Sequence, residues 1–186
     1  SALAAARRTK RPFVTTYNSK VHERPRLKVF YNSVMTRGAV VIANSAFTAE
    51  RIAKFHGETG AKIVTIPRGT DMKEFDPTGP AVKRAEAPRE KWGAGTGDTL
   101  FLLAGRLTRW KGQLLATEAL GLMNERLGSA AVSAKLVLVG DAQGRTDYED
   151  EIKSAIEAHN PALRVRLAGH CDDMPAACSA ADIVLA

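Results

Sequence analysis

Leu-Phe-Leu-Leu-Ala-Gly-Arg-Leu-Thr-Arg-Trp-Lys-Gly, residues 100–112, decides how this chain folds. The apolar run 100–104 is short and has no polar alternation, which predicts a strand buried on both faces of a parallel sheet. Gly105 breaks the run, three cations follow (Arg106, Arg109 and Lys111), and Gly112 opens a helical stretch over 113–127. In an open α/β sheet, ligands sit outside the carboxyl ends of the strands. The amino end of the next helix offers N–H groups and a positive dipole end to an anion. Arg106 can grip a phosphate through two parallel hydrogen bonds, and Lys111 adds a point charge. The pattern therefore describes a diphosphate site built without a Gly-x-Gly-x-x-Gly fingerprint. A solvated basic loop fits the same local pattern, so the rest of the chain has to decide between them.

The 186 residues suit one large domain or two small ones, and 45% hydrophobic with 25% charged residues suits a globular protein with a sizeable core. The longest apolar runs fall far short of a membrane span, and the first residues lack the apolar stretch of a signal peptide. The net charge of +7 points to an anionic partner: a nucleotide, an anionic membrane surface or nucleic acid. The excess lies early, where Arg7, Arg8, Lys10, Arg11, Lys20, Arg24, Arg26 and Lys28 face only Glu23. Only Phe13 and Tyr17 stand among them to stack on bases, so a solvated or lipid-facing surface is preferred to nucleic-acid binding. Cys171 and Cys178 fit neither a zinc knuckle nor a redox pair and are expected to be buried thiols. His22, His56, His159 and His170 are scattered without metal-ligand spacing.

In chain order, the first ten residues read as the tail of a helix and 12–16 as a short strand, followed by a polar loop. A helix is expected over 27–37, with Leu27, Phe30, Tyr31 and Val34 on one face. A strand over 39–43 leads through Asn44 and Ser45 to a helix over 48–56, with Ala49, Ile52 and Phe55 inward, and then to a strand over 62–66. Pro77, Gly79, Pro80, Pro88, Gly93, Gly95 and Gly97 mark residues 76–97 as a linker between domains at 1–75 and 98–186. Beyond it, strands over 100–104, 135–139, 165–168 and 182–185 alternate with helices over 113–127 and 148–159 and a short one from Asp172 or Asp173. That alternation predicts a parallel sheet with right-handed crossovers. Gly105, Gly140 and Gly169 each end a strand and would together rim a nucleotide crevice. Buried-type strands close to both termini suggest an incomplete piece of a longer protein.

Five stretches, in order, resemble the group 1 (family 4) retaining glycosyltransferases of the GT-B type. They are Thr15-Thr16-Tyr17-Asn18, Val41-Ile42-Ala43-Asn44-Ser45, Ile66-Pro67-Arg68-Gly69-Thr70-Asp71, Gly105-Arg106-Leu107 with Lys111-Gly112, and Ala168-Gly169 through to Leu185. The resemblance implies an α/β fold of two Rossmann-like parallel sheets, truncated at both ends. The first domain would lie on the acceptor side and the second would hold the nucleotide-sugar donor. It also implies that Arg106 and Lys111 are catalytic, neutralising the departing nucleoside diphosphate. Gly105, Gly140 and Asp141 would bind donor near the ribose and phosphates, and Gly169, His170, Cys171 and Met174 would frame the base. No metal and no cofactor are then needed, since the nucleotide-sugar is itself a substrate. The partners implied are that donor, a saccharide or lipid-linked acceptor and an anionic membrane surface, without nucleic acid. The setting implied is the cytoplasm or the inner membrane face, in cell-surface polysaccharide or lipopolysaccharide synthesis.

Departures from the family pattern set limits. Asn18 stands where the family often has a histidine beside the acceptor, and the Pro-Asn-Gly-Val-Asp hinge reads Pro67-Arg68-Gly69-Thr70-Asp71. The paired glutamates expected after the 182–185 strand are not in the chain, so the piece alone is expected to lack transferase activity. A non-enzymatic nucleotide-binding module and a basic membrane or nucleic-acid adaptor stand as the alternatives.

Overall fold

A computed structural model describes residues 2–18, 26–56, 60–128, 133–144, 146–158 and 164–186. The chain divides into two compact units, Ser1–Thr70 and Asp71–Ala186.

The first unit is built on three parallel strands in the order β1-β2-β3: β1 (Val14–Tyr17), β2 (Val40–Ala43) and β3 (Lys62–Thr65). Helix α1 (Ala2–Arg8) precedes them, α2 (Arg26–Asn32) joins β1 to β2, and α3 (Ala46–His56) joins β2 to β3. The Ser45 hydroxyl accepts the Thr48 N–H at 3.1 Å, which caps one of the free donors at the start of α3. Ile52 then packs with Tyr17, Val41 and Ala43 in the core, and Ala49 and Phe55 lie against that cluster as their spacing demands. The helix expected over 27–37 is shorter: it is α-helical to Asn32 and then tightens into a 3-10 turn, Ser33–Thr36. Its aromatic face is open rather than packed, with Leu27 83%, Phe30 68% and Tyr31 78% exposed. This unit carries 13 Lys and Arg against three acidic residues, whereas the second carries 14 against 17.

The second unit has four parallel strands in the order β6-β5-β4-β7: β4 (Asp98–Ala104), β5 (Ser133–Val139), β6 (Val165–Gly169) and β7 (Ile183–Leu185). Helices α6 (Gln113–Leu127) and α7 (Asp147–Ala158) cover one face, where Leu103, Leu136 and Leu138 meet Leu120, Tyr148 and Ile152. On the other face Leu100, Leu102, Val137 and Val139 meet Trp92 and, from α8 (Met174–Ala180), Ala177 and Ala180. Alternate residues of β4 and β5 thus enter two different cores, which is why both strands read as unbroken apolar runs. Among the described residues β7 pairs only with β4, and Ile183 and Val184 there are half-exposed, not buried as a continuous apolar run suggests.

The stretch read as a linker, residues 76–97, is folded into this unit. Pro80 starts α4 (Pro80–Arg84), and α5 (Glu86–Lys91) follows, with Ala81, Trp92 and Ala94 buried. Proline is tolerated in the first turn of a helix, so its presence did not preclude one. Polar bonds fasten these short helices to the sheet. Arg89 donates to Ala180 O at 2.8 Å and Asp98 O at 2.7 Å, and it pairs with Asp182, whose carboxylate accepts the Leu100 N–H at 2.7 Å. Arg84 reaches Asp173 at 2.7 Å, and Asp173 in turn caps α8 by accepting the Ala176 N–H at 3.1 Å.

Candidate functional site

Three strands of the second unit end side by side in glycine. Gly105 donates its N–H to Val139 O at 2.8 Å, and Gly140 donates to Gly169 O at 2.8 Å, so the three turns are laced together. Gly140 has φ +140, and a Cβ built there would overlap the carbonyl oxygen of Gly105. Only glycine lets the two turns come this close. Leu107 N–H to Asp141 O at 2.9 Å continues the lacing. These bonds bring the carboxyl ends of β4, β5 and β6 to one edge.

That edge opens into a cleft of roughly 400 Å³ lined by Ala104, Gly105, Arg106, Val139, Gly140, Asp141, Gln143, His170, Cys171 and Met174, a size suited to a small ligand. The expected residues Gly105, Arg106, Gly140, Asp141, His170, Cys171 and Met174 therefore share one cavity. Gly169 supplies the carbonyl beneath Gly140, and the stem of Lys111 lies about 3.5 Å from where a Gly105 Cβ would stand. His170 is exposed and bonds Asp172 at 3.1 Å rather than any residue of the cleft floor. Cys171 and Cys178 are half-buried rather than buried, because α8 starts at the surface; the Cys171 thiol faces Asp173 O at 3.6 Å. Burial and the neighbouring Cys171 raise the Cys178 thiol pKa. Asn18 is exposed, one residue past β1 in the first unit. His22 and His159 lie outside the described residues, among which no cluster of metal-binding side chains occurs.

The three cations of the loop have different surroundings. Arg109 is ion-paired to Glu151 and lies 5.4 Å over the Tyr148 ring, so it serves the packing of the loop. Arg106 and Lys111 pair with no carboxylate among the described residues. Arg106 touches the Gln143 amide oxygen at 3.4 Å, and the Lys111 ammonium sits 4.6 Å over the exposed Trp110 ring. Both charges are thus held by weak neutral contacts that an anion can displace. Gln143 has φ +48, and its left-handed backbone is uncommon for a residue other than glycine and is typical of functional turns.

Comparison with known proteins gives the family and the fold. Glycosyltransferase Family 4 matches residues 1–74, and Glycosyl transferases group 1 matches residues 85–186. The chain belongs to the group 1 glycosyl transferases. A D-inositol 3-phosphate glycosyltransferase of Xylanimonas cellulosilytica is 28% identical over 138 residues, covering 74% of this chain and 31% of that protein. A second, from Pseudarthrobacter chlorophenolicus, is 26% identical over 66% of this chain and 28% of that protein. Among solved structures, a glycosyltransferase from Rickettsia africae superposes with a TM-score of 0.79 at 26% identity, over 98% of this chain and 47% of that one. The Anabaena protein HepE, solved with UDP and glucose, gives 0.81 at 24% identity over 98% and 48%. The chain therefore spans about a third of the curated relatives and about half of the solved ones. The shared fold is that of GT-B glycosyltransferases.

Within this member of the group 1 family, sequence pattern missed the residues that hold the site from behind. Gln113 is 1% exposed, and its amide donates to Arg106 O at 3.0 Å, fixing the backbone from which the guanidinium extends. Its position directly after Gly112 is the one available signal. The Tyr148 hydroxyl accepts the Leu114 N–H at 3.2 Å. One of the free N–H groups expected at the start of α6 is thus already taken.

Proposed function

We propose that the second unit holds the nucleoside diphosphate of a nucleotide-sugar in the cleft above Gly105 and Gly140, for transfer of the sugar with retention and without a metal. The observation that carries this is two cations with no carboxylate partner among the described residues, flanking three interlaced glycine turns at one sheet edge. Arg106 and Lys111 oppose the charge that builds on the departing diphosphate. Asp141 at the rim suits a ribose hydroxyl, and the half-buried Cys171 and Met174 suit the flat face of a base. HepE was solved with UDP in the same fold, which makes UDP the natural probe.

The acceptor falls to the first unit. Its 13 basic against three acidic residues suit an acceptor that carries phosphate, whether lipid-linked, as in polysaccharide or lipopolysaccharide assembly, or a phosphorylated polyol, as the names of the curated relatives state for those proteins. The same charge, with the open face of Leu27, Phe30 and Tyr31, suits work beside an anionic membrane at the inner cell surface. No helix among the described residues is long and apolar enough to cross one.

Titration calorimetry with UDP, GDP and ADP tests the donor site. One nucleotide is expected to bind, and Arg106→Ala is expected to weaken it about 10- to 100-fold, the worth of a charge-assisted hydrogen bond. Binding that is indifferent to Arg106→Ala and Lys111→Ala would reject the site.

A further inference from the structure

The loop that carries Lys111 is held by a structure of its own. Residues Arg109–Lys111 form a single 3-10 turn between an extended Thr108 and Gly112, which has φ +77. Neither end has a side-chain cap. A turn of three residues with one glycine hinge has little intrinsic rigidity. Helix α7 supplies it. Tyr148 and Glu151 are three residues apart and so lie on one face of that helix. Glu151 binds the Arg109 guanidinium, and Arg109 covers the Tyr148 ring. Tyr148, 8% exposed, spans from beneath Arg109 to the amino end of α6, where its hydroxyl takes the Leu114 N–H. The two sides of Lys111 are thereby tied to the same helix, on the turn before it and in the helix after it.

We propose that Arg109, Tyr148 and Glu151 are positioning residues that clamp the 3-10 turn and aim Lys111 at the donor's diphosphate, without touching the donor themselves. The inference rests on the donor reading of the cleft. It assigns Arg109 a task different from that of Arg106, although both are cations in one loop. It also gives the Glu151 carboxylate a purpose that electrostatics alone would oppose, since a negative charge near a diphosphate site lowers affinity for the anion.

That opposition supplies the test. The chain is titrated with UDP calorimetrically, at a temperature where circular dichroism shows each variant folded. If Arg109 were one more cation for the donor, Glu151→Gln would remove a competing negative charge and tighten UDP binding. If the pair is a clamp, Glu151→Gln weakens UDP binding about threefold, as for a half-exposed ion pair. Arg109→Ala then weakens it to a similar degree, and the exchanged pair Arg109→Glu with Glu151→Arg regains most of the loss. Tighter or unchanged binding in Glu151→Gln, or no recovery in the exchanged pair, overturns the clamp. A clamp that fails while Arg106→Ala still weakens binding about 10- to 100-fold leaves the donor site standing. Failure of the unaltered chain to bind UDP, GDP or ADP removes both.

Discussion

Replacing Gly140 by alanine puts the close approach of the two glycine turns to a direct test. The residue has φ +140, a backbone region that residues with a side chain rarely enter, at a cost of about 1–3 kcal/mol. A Cβ there would also overlap Gly105 O and come within 2.7 Å of Gly105 C, both backbone atoms. Those atoms cannot swing aside as a side-chain tip would, because Gly105 N is bonded to Val139 O and Gly140 N to Gly169 O, each at 2.8 Å. Forcing them apart adds about 1–3 kcal/mol, as for other overpacked sites. The sum, roughly 2–6 kcal/mol, is a large part of the stability of a typical domain. It should lower the melting temperature of the second unit by on the order of 10 °C, followed by circular dichroism. Gly144→Ala is the control: its φ is +79, but nothing lies within 4 Å of the added methyl, so only the backbone cost of about 1–2 kcal/mol applies. Equal melting temperatures for the two variants would refute the reasoning, since the contact with Gly105 is what separates them.

Further outcomes follow from the polar frame. Asp98, whose side chain is 8% exposed, accepts from the Gly95 N–H at 2.7 Å, the Ser133 hydroxyl and Arg164; Asp98→Ala should cost about 2–4 kcal/mol in urea unfolding by stranding those donors. Four carboxyls of the second unit are held below their ordinary pKa: Asp76 chiefly by the Thr78 N–H, Asp98 by the Ser133 hydroxyl, Asp173 by Arg84 and Asp182 by the Leu100 N–H. The stability they add is complete above the ordinary carboxylate value of about 4 and is lost as pH falls through the depressed folded values, so an acid titration should show unfolding begin below about pH 4 and Asp173→Asn should flatten it. In the first unit, burial lowers the His56 pKa. Its unfolded state takes up a proton first, so melting temperatures should drop as pH falls below about 6.5, and His56→Phe should remove that drop.

The strand–loop–helix at residues 100–112, the alternation of strands and helices, and the glycine rim with its basic loop were legible in sequence because each rests on local pattern: apolar runs, glycine at strand ends and cations of fixed spacing; Asp141, His170, Cys171 and Met174 were expected beside them only through the family resemblance, and Gln143 was not expected at all. Residues 76–97 were not, because proline and glycine that punctuate a linker also start and stop very short helices, and only the burial of Ala81 and Trp92 decides which they do. The open face of α2 was hidden for a similar reason, since spacing shows that Leu27, Phe30 and Tyr31 lie together but not whether anything covers them.

The sequence by itself determined that a buried parallel strand runs into a basic turn and that glycines end its neighbours, since hydrophobicity and backbone freedom belong to residues one at a time. Tertiary structure alone decided which cations are available. Arg106, Arg109 and Lys111 all carry one positive charge in the chain, and only the arrival of Glu151 and Tyr148, some 40 residues on, takes Arg109 out of the cleft. A charge is used or spare according to what stands within a few ångströms of it, and that distance is set by how α7 packs on the sheet.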